Sequence, residues 1–75
     1  MEQKNYIVIE LQTDDKGKTS NLVYAYGSEA EAQSKYYAVL SAAAISTVPY
    51  HAATLLNQNG EPIMWHGFDH TEKEE

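Results

Sequence analysis

The sequence predicts an α+β fold of order ββαββ: a four-stranded antiparallel sheet, strands ordered 2-1-3-4, with one helix packed on one face. Three observations carry that expectation. Two stretches rich in β-branched and aromatic residues precede an alanine-rich stretch that opens on a helix cap, and two more apolar stretches follow it. Each strand pair is joined by five polar residues with glycine fourth, "DDKGK" (Asp14 to Lys18) and "NQNGE" (Asn57 to Glu61). The 75 residues, with no cysteine, are one domain over 1–70 and a polar tail at 71–75 expected to be disordered.

In "YIVIELQT" (Tyr6 to Thr13), Ile7, Ile9 and Leu11 alternate with Val8, Glu10 and Gln12, the period of a strand. "DDKGK" is turn chemistry, with Asp to open the turn and Gly17 for a left-handed position. "NLVYAY" (Asn21 to Tyr26) reads as the second strand. Ser28 with Glu31 three residues on is a capping box, and Glu29 and Glu31 suit the positive end of the helix dipole. The helix then runs to about Ser46, where Thr47, Val48 and Pro49 stop it. "YHAATLLN" (Tyr50 to Asn57) and "PIMWHGF" (Pro62 to Phe68) are the last two strands, and Pro62 suits an edge. A right-handed crossover admits the helix on one face only. An order of 2-1-4-3 is the alternative topology; it makes the first and last strands parallel.

A three-residue loop ending in a left-handed glycine pairs Asp14 with Lys18, and then Leu11 with Asn21, Ile9 with Val23 and Ile7 with Ala25. The same loop at the second hairpin pairs Leu55 with Ile63 and Ala53 with Trp65; a two-residue turn at Asn59-Gly60 instead pairs Leu56 with Ile63. The helix stripe is Ala32, Tyr36, Val39, Leu40 and Ala43, flanked by Tyr37 and Ala44. We expect it to cover Ile7, Ile9, Leu11, Val23, Ala25, Leu55, Ile63 and Trp65. The other face then presents Tyr6, Val8, Leu22, Tyr24, Tyr26, Leu56 and Met64. A sheet with one helix should be polar on its open side, so self-association is expected, through these seven residues as the interface or by edge pairing of strands. A homodimer is the expected state, because a core this small needs further support and disulfides are ruled out. The helix offers a lesser candidate, the small-residue face of Ser34, Ala38, Ser41, Ala42 and Ile45.

Composition excludes other classes. The net charge is −6, and the five basic residues are all lysines, so direct nucleic-acid binding is not expected. No stretch approaches the ~20 apolar residues of a membrane span, and the N-terminus lacks a signal-peptide layout. His66, Asp69 and His70, with His51 upstream, have zinc-like residue types, but a strand followed by a tail is a poor frame for them. Asp14-Asp15 lacks the spaced oxygen ligands of a calcium loop. No nucleophile–base spacing or phosphate loop is present. The chain therefore reads as non-enzymatic, with no cofactor, no metal and no catalytic residue.

The pieces "NYIVIELQT", "EAEAQSKYYAVLSAAAIS" and "VPYHAATLLNQNGEPI" resemble short acidic proteins encoded in prophages and mobile elements of Firmicutes. Ala32, Lys35, Tyr36, Leu40, Ala43, Ser46, Val48, Pro49 and His51 carry the resemblance, over residues 5–66. It implies a bacterial, phage-like setting, in the host cytoplasm or on the virion, and no activity. Two roles follow as expectations. One is an accessory or virion-associated interaction protein that self-associates and meets a host or phage partner. The other is an acidic inhibitor of a host nucleic-acid-binding defence protein, acting by charge mimicry. Glu10, Glu29, Glu31, Glu61 and Asp69 gathered on one face favour mimicry; scattered, beside an apolar sheet, they favour self-assembly.

Overall fold

The computed structural model describes residues 5–70; the tail at 71–75 lies outside them. Strands β1 (Tyr6–Thr13) and β2 (Thr19–Tyr26) form a hairpin, helix α1 (Glu29–Ala44) follows, and β3 (Tyr50–Leu56) and β4 (Pro62–Asp69) form a second hairpin. The four strands make one antiparallel sheet of order 2-1-3-4. The α+β architecture is as the sequence predicts.

The two hairpin turns are built alike. Asp14 Oδ1 accepts from the N–H groups of Lys16 and Lys18, and Asn57 Oδ1 accepts from those of Asn59 and Glu61. In each turn a glycine follows in the left-handed region, Gly17 and Gly60 at φ +84°. A residue with a β-carbon is strained at that φ. The first turn closes on Asp14 N–H to the Lys18 carbonyl, and the expected β1–β2 register holds over eight pairs, Tyr6 with Tyr26 through Thr13 with Thr19. β2 starts two residues earlier than expected, at Thr19, whose hydroxyl lies 2.9 Å from that of Thr13.

The second turn closes as expected on Asn57 and Glu61, but the register beyond it does not follow. Leu56 pairs with Pro62 and Leu55 with Met64, so Ile63 is an extra residue. Pro62 has no N–H for the ladder, and a bulge is where a strand accommodates that. The expected Leu55–Ile63 and Ala53–Trp65 pairs are replaced by Leu55–Met64, Ala53–His66 and Thr54–Trp65. One inserted residue moves Trp65 to the opposite face.

The helix is capped as predicted, with Ser28 Oγ accepting from Glu31 N–H and Glu29 and Glu31 in the first turn. It ends at Ala44, two residues short of the expected Ser46, whose own hydroxyl accepts from Val48 N–H. The stripe holds: Ala32, Tyr36, Val39 and Ala43 are buried and Leu40 is half-buried. Tyr37 and Ala44 are exposed. The helix lies over β3 and β1, and the core is Val8, Ala53 and Leu55 beneath Ala32, Tyr36 and Val39.

Candidate functional site, an uncovered sheet face

The two faces of the sheet are exchanged relative to expectation. Val8 is fully buried under the helix, and Tyr6, Tyr24, Tyr26 and Met64 pack against the same core. Leu22 shares that face at the outer edge and is half exposed. Of the seven residues expected to be uncovered, only Leu56 is on the uncovered side, paired with Ile7. Conversely, of the eight expected beneath the helix, Leu55 alone is among the buried core. Ile63 is exposed at the bulge, and the other six line the open face.

Two signals would have found this. The Asp14–Lys18 hydrogen bond fixes which β1 residues bond to β2: alternate ones counting back, Gln12, Glu10, Val8 and Tyr6. The handedness of L-residues fixes the side to which those residues point, relative to the direction of β2. A right-handed β2–α1–β3 crossover then puts the helix on that same side. The second signal is chemical. Glu10 and His51 both fall on the covered face, where they satisfy each other.

His51 Nε2 sits 2.7 Å from Glu10 Oε2, and the His51 residue is only 4% exposed. Gln12 Nε2 donates to the same oxygen at 3.1 Å, and Tyr24 Oη donates to Oε1 at 3.5 Å. A buried carboxylate is tolerated when its lone pairs are filled in this way. With Nε2 on the carboxylate, Nδ1 is left buried without a hydrogen-bond partner. The ring has almost no accessible surface for a substrate, so the pair organises the core. Lys35 Nζ lies 4.1 Å from the Tyr24 ring centroid, a cation–π contact that fastens the helix to β2. Burial, and then the neighbouring Tyr37, raise the Tyr36 phenol above its usual pKa.

The other sequence candidates are dispersed. His66 and His70 lie four residues apart at the end of β4, roughly 13 Å along an extended chain. His70 Nε2 bonds to the Ala43 carbonyl, and His66 packs edge-on against Phe68. Asp14 is occupied in its turn. Ser34, Ala38, Ser41, Ala42 and Ile45 are all exposed along the helix. A groove of about 320 Å³, open to solvent and lined by Tyr26, Glu31, Ser34, Lys35 and Ala38, runs between helix and β2.

The uncovered face has a different character. Its apolar members are Ile7, Ile9 and Leu11 from β1, Val23 and Ala25 from β2, Ala52 and Leu56 from β3 and Trp65 from β4; Thr54 sits between Ile9 and Trp65, and Thr13, Thr19 and Asn21 fill the end nearest the first turn. Trp65 is 72% exposed and Val23 61%. Tyr50 lies across Gly67, where its hydroxyl occupies the space that any β-carbon at that position would need. Among the described residues, Asp69, paired with Tyr50 at one corner, is the single charged residue at the paired positions of this face. Water-facing sheets alternate apolar with polar; this one carries large apolar side chains on both sides. No helix is long and apolar enough to cross a membrane. Comparison with protein-family models, with curated proteins and with solved structures gave no match.

Proposed function

We propose that this protein is a non-enzymatic interaction module that works as an assembly of its own copies, joined through the uncovered sheet face. One observation carries the reading. Val23 and Trp65, exposed, and Ile7, Ile9, Leu11 and Leu56, half-buried, share one helix-free face of the sheet with a single carboxylate at its corner. Contiguous apolar patches of several hundred Å² often mark interaction sites. Tryptophan and tyrosine are the residue types that anchor such contacts. An isologous contact suits a chain of charge −6, because this face adds almost none of that charge to the contact.

The carboxylates support self-assembly over charge mimicry. Glu10 is sequestered with His51. Glu29 and Glu31 open the helix that leaves one edge strand, Glu61 precedes the other edge strand, and Asp69 closes β4 at the opposite end. Glu29, Glu31 and Glu61 thus share one end of the sheet, while Glu10 and Asp69 stand apart from them, so the five are not gathered on one face. The sequence resemblance gives this assembly a setting, an accessory or virion-associated role in a phage-like bacterial genome, in the host cytoplasm or on the particle.

Sedimentation velocity at tens of micromolar tests the reading. The expected result is a mass of more than one copy, falling in the Trp65→Glu variant. Trp65 is the chain's one tryptophan, so its emission shifts to shorter wavelength as the concentration rises through assembly. A wild-type monomer with unchanging emission overturns the proposal.

A further inference from the structure

The sheet has two edges, and they are unlike. β4 opens on Pro62, is bulged at Ile63, carries Gly67 and closes on Asp69. Proline, bulges and charge are the devices that keep an edge strand from pairing with another chain. β2 has none of them. Its eight residues, "TSNLVYAY", contain no charge, proline or glycine, and every one pairs in unbroken register with β1. A strand of that kind at the edge of a chain with 11 acidic residues is an open template.

The turn fixes which groups it offers. With Asp14–Lys18 as the closing hydrogen-bonded pair, alternation turns the amides of Ser20, Leu22, Tyr24 and Tyr26 toward β1. The N–H and C=O groups of Thr19, Asn21, Val23 and Ala25 therefore point outward. We propose that β2 is a second self-association site, where the β2 strands of two copies pair antiparallel about a two-fold axis through Val23. Asn21 of each copy then pairs with the partner's Ala25, and two four-stranded sheets become one of eight strands. This takes its occupant, a second copy, from the self-association reading above, but it uses a different surface.

Two further observations favour that occupant. In this register Lys18 comes level with the partner's Ser28 and Glu29, so one lysine of each copy meets the acidic helix start of the other. Area is the second. Four strands at about 4.8 Å spacing and seven residues at about 3.4 Å give the open face a footprint of roughly 450 Å². A stable interface takes roughly 600–1,000 Å² per partner. Edge pairing doubles the apolar face available to the stack, because Val23 joins its own copy across the axis.

Amide hydrogen exchange on the full chain tests the pairing. As concentration rises from micromolar to hundreds of micromolar, exchange at Asn21, Val23 and Ala25 is expected to slow at least tenfold, in step with the sedimentation mass. If those amides keep a constant fast rate while the mass rises, the edge proposal is overturned and the face reading stands. In Trp65→Glu protein, retained slow exchange at the three amides supports edge pairing; monomeric protein with fast exchange overturns it. An unchanged mass in Trp65→Glu with the three amides slow instead removes the face reading and leaves the edge. The Asn21→Pro variant deletes one outward N–H and no β1–β2 ladder bond. It is expected to halve the assembly's mass while circular dichroism stays native, and an unchanged mass overturns the pairing.

Discussion

The covered and uncovered faces of this sheet differ in a direction that hydropathy alone would reverse. Beneath the helix lie three tyrosines, a methionine and the Glu10–His51 pair around a small aliphatic centre of Val8, Ala53 and Leu55. On the open side lie Ile7, Ile9, Leu11, Val23, Leu56 and Trp65, with Asp69 at a corner. The open side also holds Thr13, Thr19, Asn21 and Thr54, yet it keeps the larger aliphatic chains and the tryptophan. The lesson is that helix placement was decided by chain geometry, and that the covered face then had to satisfy its polar groups internally. The open face had no such demand and kept side chains that gain most from burial against something else.

Stability measurements on the two faces test the contrast. Leu55 and Leu56 are chain neighbours on opposite faces, one fully buried and one half-buried. Leu55→Ala is expected to lower the unfolding free energy by about 2–5 kcal/mol, the range for a well-packed core leucine. Leu56→Ala, measured by the same urea titration in a Trp65→Glu background, is expected to cost about 1 kcal/mol or less. Equal costs would mean that the faces are not distinct. Next in size is Glu10→Ala, which strands the buried His51 ring and removes the acceptor of Gln12 and Tyr24. A loss of roughly 3 kcal/mol is expected, as when one member of a buried pair is removed.

The smallest effect is alkaline. Tyr36 has its folded-state pKa raised above 10.0, first by burial and then by Tyr37. A raised value means that the folded chain holds the phenol proton more tightly than the unfolded chain does. Its stabilising contribution is therefore complete below the unfolded value and is lost as pH climbs through the folded one. The urea midpoint should be level up to about pH 9 and decline above about pH 10. Tyr36→Phe should decline less over that interval; an identical decline would place the cause elsewhere.

Much of this was legible in the residues. Both turns could be read from Asx and glycine spacing, the helix start from Ser28 and Glu31, the buried stripe from Ala32, Tyr36, Val39 and Ala43, and the β1–β2 register from the first turn. These are local signals, in which neighbouring residues decide a dihedral or a hydrogen bond. The candidate site was half legible. That the sheet would be apolar on both sides followed from its composition, but the identity of the open side did not, because two non-local choices intervened. The bulge at Ile63, placed just after a proline, moved Trp65 across the sheet, and the β1–β3 register set Val8 beside Leu55.

Residue types and their spacing thus set the elements, their order and the surplus of apolar side chains over what one helix can shelter. Tertiary structure alone decided which of those side chains were sheltered. Strand residues alternate with period two, so a single inserted residue or a one-place shift between hairpins exchanges inside for outside at no local cost. Only the right-handed crossover and the burial of Glu10 against His51 distinguish the two arrangements, and both exist only once the chain has closed on itself.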